Sequence, residues 1–408
     1  MDLKKSVKQA AKTLGIKGEV KKAQYKAISD VLAGHDVLVT APTSYGKSAI
    51  PQVLALVKKG LTLVLEPTRS LIHDQVEQLQ QRNISVGALA SDCVPLDESD
   101  IQTALEQHGY LILYTTPESL WKLDLSNIPV SLLVVDECHC VTSWGYGFRK
   151  DYLRISTFVD LLPRRPQIIA MTATAPIADR KEIKKLLHMK HVKEHAVSLY
   201  RPKLTFSVYP FVSEDARQKK LKSLLKQHMK SDDGSCIIYC NTRTHANDIY
   251  DLVKKWYPEQ AAICHSNLPD GERRRNERAF MCGERRIMVA TSAFGMGINK
   301  ADVRLIIHYN LPLSLIDYYQ QAGRAGRDGG KARCILLYNK SDYNMNRYVI
   351  EQSQEALDYS LRALDEMKEY ADSDKGCLVQ RMLSVFGEQM DHPCGKCTFC
   401  QKRGKRNE

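Results

Sequence analysis

Residues 41–48 read APTSYGKS, a glycine-containing turn that closes on a lysine and a serine. That order suits a polyphosphate. Backbone N–H groups of Thr43, Ser44, Tyr45 and Gly46 can face phosphate oxygens where a helix begins, because unsatisfied amides and the helix dipole favour negative charge there. Lys47 would reach the β- and γ-phosphates, and the Ser48 hydroxyl would hold Mg2+. Ala41 stands where the phosphate-loop pattern has its first glycine. Further on, VVDECHCVTSWGYGF (134–148) runs an apolar strand into two adjacent carboxylates, Asp136 and Glu137. Asp136 can hold Mg2+, and Glu137 can polarise an attacking water. Barely a turn later come Trp144, Tyr146 and Phe148, spaced by small residues and suited to stacking on something flat. Near the C-terminus Cys394, Cys397 and Cys400 form two overlapping C-x-x-C pairs, with Cys377 one helix-length segment upstream. Four thiolates suit a closed tetrahedral Zn2+ site, and an iron–sulfur cluster is the other occupant such a set can take.

These groups act together only if the chain positions them. DVLVTAP, LTLVLEPT, YLILYTTPE, SLLVVDE and QIIAMTAT read as buried strands, each followed by helical periodicity. In SAIPQVLALVKK, Ile50, Val53, Leu54 and Val57 share one helical face, and Pro51 sits in the first turn, where its missing N–H costs little. Strands alternating with helices imply an α/β fold, a parallel sheet covered on both faces whose strand ends gather ligands along one edge. The pattern pauses at SLYRPKLTFSVYP (198–210), which reads as a proline-punctuated connection. It restarts with SCIIYC, AAICHS, RIMVATS, VRLIIHY and ARCILLY. The expected organisation is an ATP-binding α/β domain over residues 1–200, a second α/β domain over 201–340, and a small helical, cysteine-bearing domain with a basic tail over 341–408.

The bulk numbers agree. The chain has 408 residues, 43% hydrophobic and 26% charged, enough for two or three soluble domains. A formal net charge of +12 favours polyanionic partners, nucleic acid first. No stretch has the apolar length of a membrane span, and the basic N-terminus lacks the apolar core of a signal peptide. Of the twelve cysteines, the eight outside the cluster (Cys93, Cys138, Cys140, Cys236, Cys240, Cys264, Cys282 and Cys334) read as small buried hydrophobes in a reducing compartment.

DECH (136–139), with APTSYGKS, MTATA (171–175) and QQAGRAGRDG (320–329), resembles the superfamily-2 helicase motif set. LEPTRSLIHDQVEQL (65–79), DECHCVTSWGYGFRKDY (136–152), ATSAFGMGINKADVRLIIHYNLP (290–312), SLIDYYQQAGRAGRDG (314–329) and FGEQMDHPCGKCTFC (386–400) resemble the RecQ helicases more closely, in that family's order and over nearly the whole chain. The resemblance implies two RecA-like domains with ATP in the cleft between them, followed by a helical zinc-binding domain. It implies a DNA-stimulated ATPase that moves along single-stranded DNA, 3′ to 5′, and unwinds tailed or branched duplexes. The implied cofactors are ATP, Mg2+ and Zn2+. It assigns Gln24 to reading adenine, Gln320 to sensing the nucleotide, and Arg324 and Arg327 to the γ-phosphate, with Arg327 the finger. Positive charge placed there meets charge developing on the transferred phosphoryl group.

The same resemblance assigns the loop after DECH to single-stranded DNA. Trp144, Phe148 and Arg149 fall on its pattern and, with His139, would report strand engagement to the acids; Thr172 and Thr174 would link ATP state to the DNA-facing side. Bases stack on aromatic rings with little sequence preference, at about 1–3 kcal/mol each. This chain departs from the family in having Val20-Lys21 where Phe-Arg is usual, and Tyr146-Gly147 where His-Asp is usual. Cys377, Cys394, Cys397 and Cys400 match the family's zinc ligands. Only eight residues follow Cys400, so the expectation is a short form without the winged-helix and HRDC domains. Thr68, Arg69, residues 116–118 and Thr242 are further candidates for a backbone-contacting DNA track. The rival readings are an RNA helicase, a translocase that remodels or anneals without unwinding, and a non-enzymatic nucleic-acid scaffold; Lys47, Glu137 and Arg327 argue against the last. The expected setting is the cytoplasm and nucleoid of a prokaryote or virus-infected cell, or a eukaryotic nucleus, with the protein a monomer away from membranes and its protein partners unassigned.

Overall fold

The computed structural model describes residues 2–16, 18–43, 45–89, 97–143, 150–231, 234–295, 300–353, 357–372 and 375–404. The chain forms two compact units, residues 1–198 and 199–408. The first is built on strands β1 (Val37–Thr40), β2 (Gly60–Leu65), β3 (Val86–Leu89), β4 (Tyr110–Thr115), β5 (Val130–Val135), β6 (Gln167–Thr172) and β7 (Lys193–Ala196). They lie parallel in the order β3-β4-β2-β5-β6-β1-β7. Both faces are covered, so the inner strands are apolar at nearly every position. In β1, Val37 and Val39 pack with Ala27, Ile28, Ile50, Val53 and Leu54 on one face. Leu38 packs with Leu63, Leu113, Leu133 and Ile168 on the other.

This order does one thing for the site. It sets the carboxyl ends of β2, β5, β6 and β1 side by side. Glu66, Asp136, Ala173 and Ala41 each follow one of these strands, so residues far apart in sequence emerge along one edge. Register fixes the neighbours: Val39 pairs with Met171 and Thr40 with Thr172, while Val134 pairs with Ile169.

The second unit holds β8 (Leu204–Phe211), β9 (Ser235–Tyr239), β10 (Ala261–Cys264), β11 (Ile287–Ala290), β12 (Val303–His308) and β13 (Ala332–Asn339), parallel in the order β10-β11-β9-β12-β13-β8. The C-terminal helices Leu357–Ala371 and Leu378–Val385 share one core with this sheet, in which Leu364, Met367, Tyr370, Leu378 and Met382 pack with Phe206, Ile306 and Leu336. No helix among the described residues is long and apolar enough to cross a membrane.

Three strands escape the apolar-run reading. Residues 198–210 are not a mere connection: β8 begins at Leu204, buries Leu204, Phe206 and Val208, and leaves Thr205, Ser207 and Tyr209 half-buried. Pro210 fits because β8 pairs only with β13, and an edge strand has one side where no N–H is needed. β7, an edge strand of the first sheet, is charged, reading KEHA. β3 is only four residues long. Cys282 also departs from the expected buried cysteines. It is exposed at the last position of the polar helix Asp270–Cys282, just before the left-handed Gly283.

Candidate nucleotide site and cysteine cluster

The phosphate loop leaves β1 at Ala41, whose N–H donates to the Thr172 carbonyl at 3.1 Å, and enters the helix Ala49–Lys58 with Ser48 at its N-cap. Ile50, Val53 and Leu54 bury the helix face that the spacing assigns, with Pro51 in the first turn. Gly46 adopts φ +86°, a left-handed conformation that glycine takes without strain. A Cβ there would stand 3.2 Å from Gln24 Nε2. Lys47 is buried, and its Nζ donates to the Ala41 carbonyl at 3.2 Å. The ammonium therefore rests on the loop's own backbone. Ser44 lies outside the described residues; Thr43, Tyr45 and Gly46 lie in the turn.

Gln24 is tied to the same turn. Its Nε2 donates to the Gly46 carbonyl at 2.8 Å, while its Oε1 accepts from the Lys21 N–H at 2.8 Å. Lys21 has a role the sequence did not suggest. Its Nζ donates to the Tyr45 carbonyl at 2.8 Å and lies 4.3 Å from the centre of the Tyr45 ring.

The acids occupy the end of β5. Asp136 Oδ1 accepts the Glu137 N–H at 2.8 Å. Glu137 itself has φ +45°, rare for a residue with a side chain and costing about 1–3 kcal/mol. A glutamate held there aims its carboxylate back toward His139, whose Nδ1 lies 3.3 Å from Glu137 Oε2 and 3.0 Å from Thr172 Oγ1. The Thr172 hydroxyl donates to the Thr174 carbonyl at 3.1 Å and accepts the Thr174 N–H at 3.1 Å. The DECH and MTATA segments are thus one hydrogen-bonded unit, a link that spacing alone does not reveal.

A third acid joins them. Glu66, at the end of β2, is buried. Burial, then the charges of Asp136 and Glu137, push its carboxyl well above the usual range. Burial and the Glu137 charge likewise raise Asp136. Glu137 moves the other way: burial opposes its charge, but the His139 hydrogen bond and the Lys47 ammonium outweigh burial. Three carboxyl groups, Glu66 and Asp136 buried and Glu137 half-buried, thus share one ammonium. That surplus of negative charge, with hard oxygen donors and the Ser48 hydroxyl heading the next helix, fits a Mg2+ ion.

In the second unit, Gln320 lies on the helix Leu315–Ala322. Ser314 caps that helix, accepting the Asp317 N–H at 3.0 Å and donating to Asp317 Oδ2 at 2.7 Å. Gly323 closes it, and Arg324 and Arg327 follow on the exit turn. Arg324 donates to the Gly295 carbonyl. Thr68 and Thr242, two of the track candidates, cap the helices Arg69–Gln80 and Arg243–Trp256. Trp144, Phe148 and Arg149 lie outside the described residues.

The four cysteines converge. The sulfurs of Cys377, Cys394, Cys397 and Cys400 all lie within 4.8 Å of one another, close to the spacing of about 3.8 Å that tetrahedral Zn–S bonds impose. The Cys394 N–H donates to Cys377 Sγ at 3.2 Å and the Cys397 N–H to Cys394 Sγ at 3.4 Å, contacts that orient the sulfurs. Four soft donors with oriented amides fit Zn2+.

The chain matches three family models: DEAD/DEAH box helicase over residues 21–183, helicase conserved C-terminal domain over 217–329, and RecQ zinc-binding over 340–401. It is 34% identical over 365 residues to the ATP-dependent DNA helicase RecQ of Bacillus subtilis, covering 88% of this chain and 60% of that protein. It is 32% identical over 359 residues to the probable ATP-dependent DNA helicase RecS of the same organism, covering 86% of this chain and 71% of that one. The chain therefore spans about 60% of the length of several curated relatives it matches. In structure it is similar to S. cerevisiae Dbp5 bound to RNA and ADP BeF3, with TM-score 0.66 and 18% identity, covering 89% of this chain and 97% of that one, a likeness of fold.

Proposed function

Since this chain belongs to the RecQ family of DNA helicases, we propose that it hydrolyses ATP at the edge formed by β1, β5 and β6, moves along single-stranded DNA 3′ to 5′, and unwinds tailed or branched duplexes. The observation that carries this reading is the convergence of Lys47, Asp136 and Glu137 on one sheet edge, with His139 and Thr172 bonded behind them. On nucleotide binding, Lys47 exchanges the Ala41 carbonyl for the β- and γ-phosphates. Ser48 and Asp136 would hold Mg2+, which when bound would neutralise phosphate charge. Glu137 orients and polarises the attacking water. Gln24 turns from the loop to the adenine, and Gln320 senses nucleotide. Arg324 and Arg327, supplied by the second α/β domain (201–340), meet the charge on the γ-phosphoryl group, Arg327 as the finger. The zinc-binding domain spans 341–408, and the protein acts as a monomer.

DNA crosses both α/β domains by its sugar–phosphate backbone, with Thr68, Arg69, residues 116–118 and Thr242 along the track, so binding is weakly sequence-dependent and strongly salt-dependent. Trp144, Phe148 and Arg149 engage the strand, and His139 carries that engagement to Glu137 through its ring. The test pairs two assays on the purified chain. ATP turnover is measured with single-stranded DNA, single-stranded RNA and no polymer; strand displacement is measured on 3′- and 5′-tailed duplexes. Stimulation by DNA above RNA and displacement from the 3′ tail are expected. Equal stimulation by RNA would replace the DNA reading, and turnover without displacement would make the protein a translocase.

Trp144→Ala is expected to keep basal ATP hydrolysis and lose its stimulation by DNA. The measurement is turnover against DNA concentration, with the mutant's strand affinity determined alongside. Wild-type stimulation at saturating DNA would remove the coupling role from this loop.

A further inference from the structure

The turn that carries Arg324 and Arg327 is not held by its own helix alone. Gly323 closes the helix Leu315–Ala322, and the carbonyls at such an end lack intrahelical partners and carry partial negative charge. Arg201, more than a hundred residues away in sequence, supplies partners for two carbonyls. Its Nη1 donates to the Gly323 carbonyl at 2.8 Å and its Nη2 to the Gly326 carbonyl at 2.7 Å. The two accepting residues bracket Arg324, and Arg327 follows directly. Gly326 is pinned from both sides: its N–H donates to the Val303 carbonyl at 2.8 Å, and at φ +57° an added Cβ would stand 2.6 Å from the Gly330 carbonyl oxygen.

Arg201 is itself fixed by its neighbours. The Leu199 carbonyl accepts from Tyr319 Oη at 2.6 Å, and the Leu199 N–H donates to Glu388 Oε2 at 2.7 Å. Pro202 gives its carbonyl to Lys396 Nζ, within the cysteine-bearing segment, and the Lys203 carbonyl accepts the Ala332 N–H at 3.1 Å. The Tyr319 ring packs on Phe386 with centroids 5.2 Å apart. Residues 199–203 thus form a strap, bonded on one side to the zinc-bearing lobe and on the other to the arginine turn.

We propose that Arg201 is a positioning residue for ATP hydrolysis: its planar fork fixes the backbone between Gly323 and Gly326 and so sets where the Arg327 guanidinium can reach, while the zinc-bearing lobe holds the strap that presents it. This rests on the reading of Arg327 as the finger. Only a fork with two N–H groups at fixed separation can serve both carbonyls at once; a lysine offers one ammonium. The bonds of the strap run to the arginine turn and to the zinc-bearing lobe, so its loss is expected to act on the chemical step rather than on nucleotide binding. A displacement near one ångström at a charge-stabilising group costs on the order of 100-fold in rate.

The experiment measures DNA-stimulated ATP turnover for Arg201→Ala, Arg201→Lys and Arg327→Ala in the full chain, with zinc content and thermal melting recorded for each. Arg327→Ala is expected to lose kcat, which establishes the finger independently. Arg201→Ala is expected to lower kcat by on the order of 10- to 100-fold, with KM for ATP within about threefold and zinc content unchanged. Arg201→Lys keeps charge and stem, so it guards against a folding defect, and it is expected to lower kcat by at least about tenfold. Wild-type kcat in a folded Arg201→Lys protein, with Arg327→Ala impaired, overturns the positioning role and leaves the finger standing. Wild-type kcat in Arg327→Ala overturns both. A rise in KM with kcat intact also overturns the proposal, because the strap would then act on binding.

Discussion

Glu137→Gln is expected to lower DNA-stimulated ATP turnover by on the order of 100- to 10,000-fold while nucleotide still binds with near wild-type affinity. The substitution preserves shape and removes charge. The left-handed backbone at Glu137 and the N–H it gives to Asp136 do not depend on the side chain's ionisation, so the loop keeps its form. What disappears is the acceptor that the protein works to keep ionised. Burial alone would drive Glu137 toward the neutral acid, yet His139 and Lys47 hold it below the usual carboxylate range. A half-buried carboxylate kept charged in this way is suited to orienting water, and an amide cannot polarise it equally. Lys47→Ala provides the contrast. That ammonium is expected to contact the phosphates, so its removal weakens nucleotide binding as well as turnover. The measurement is kcat from steady-state hydrolysis beside affinity for a fluorescent ATP analogue. A Glu137→Gln protein that turned over like wild type would move the hydrolytic role elsewhere, and Glu66, buried beside the pair, would be the next carboxylate to test.

The sequence made much of this edge legible for a physical reason. Inner parallel strands are apolar at almost every position, so their ends stand out where Asp136 or Thr172 interrupts the run. The phosphate loop is a local structure and its residues are contiguous. The strands that escaped are those whose burial is partial: β8 alternates, and β7 is charged because it is an edge. Lys21, Glu66 and Arg201 were missed for a different reason. Each works through a partner brought near by topology: Tyr45 for Lys21, the Asp136–Glu137 pair for Glu66, Gly323 and Gly326 for Arg201. Glu66 left the strongest trace, a carboxylate directly after four apolar residues and a threonine of a buried strand. Arg201 left only an arginine before a proline. The histidine of DECH could be named by family pattern, but its bond to Thr172, which joins two motifs into one rigid unit, becomes visible only once β5 and β6 are neighbours.

Removing zinc is expected to have a larger effect on folding than any single surface change, and to be felt well beyond the four cysteines. Cys377 and Cys397 are buried in the same core as Tyr370, Leu378, Met382 and Phe386, and that core covers one face of the second sheet. Without a metal, four sulfurs within 4.8 Å of one another lose the ion that would hold them together. Structural zinc in small domains contributes about 10–16 kcal/mol of apparent binding energy, which is also folding energy. A domain's whole stability is about 5–15 kcal/mol, so the C-terminal helices are not expected to persist alone. Cys397→Ser, or the wild-type chain stripped by a chelator at low salt, is expected to lose helical circular dichroism and to melt at least about 10 °C lower. Metal analysis should find one zinc per chain before treatment, without the visible absorbance of an iron–sulfur cluster. Binding of a fluorescent ATP analogue should survive, because the first unit has its own two cores. Turnover should fall, since the strap that presents Arg201 is anchored through Glu388 and Lys396. A metal-free protein with unchanged melting would show instead that the apolar packing around Cys377 and Cys397 suffices, and the cysteine set would then need another explanation.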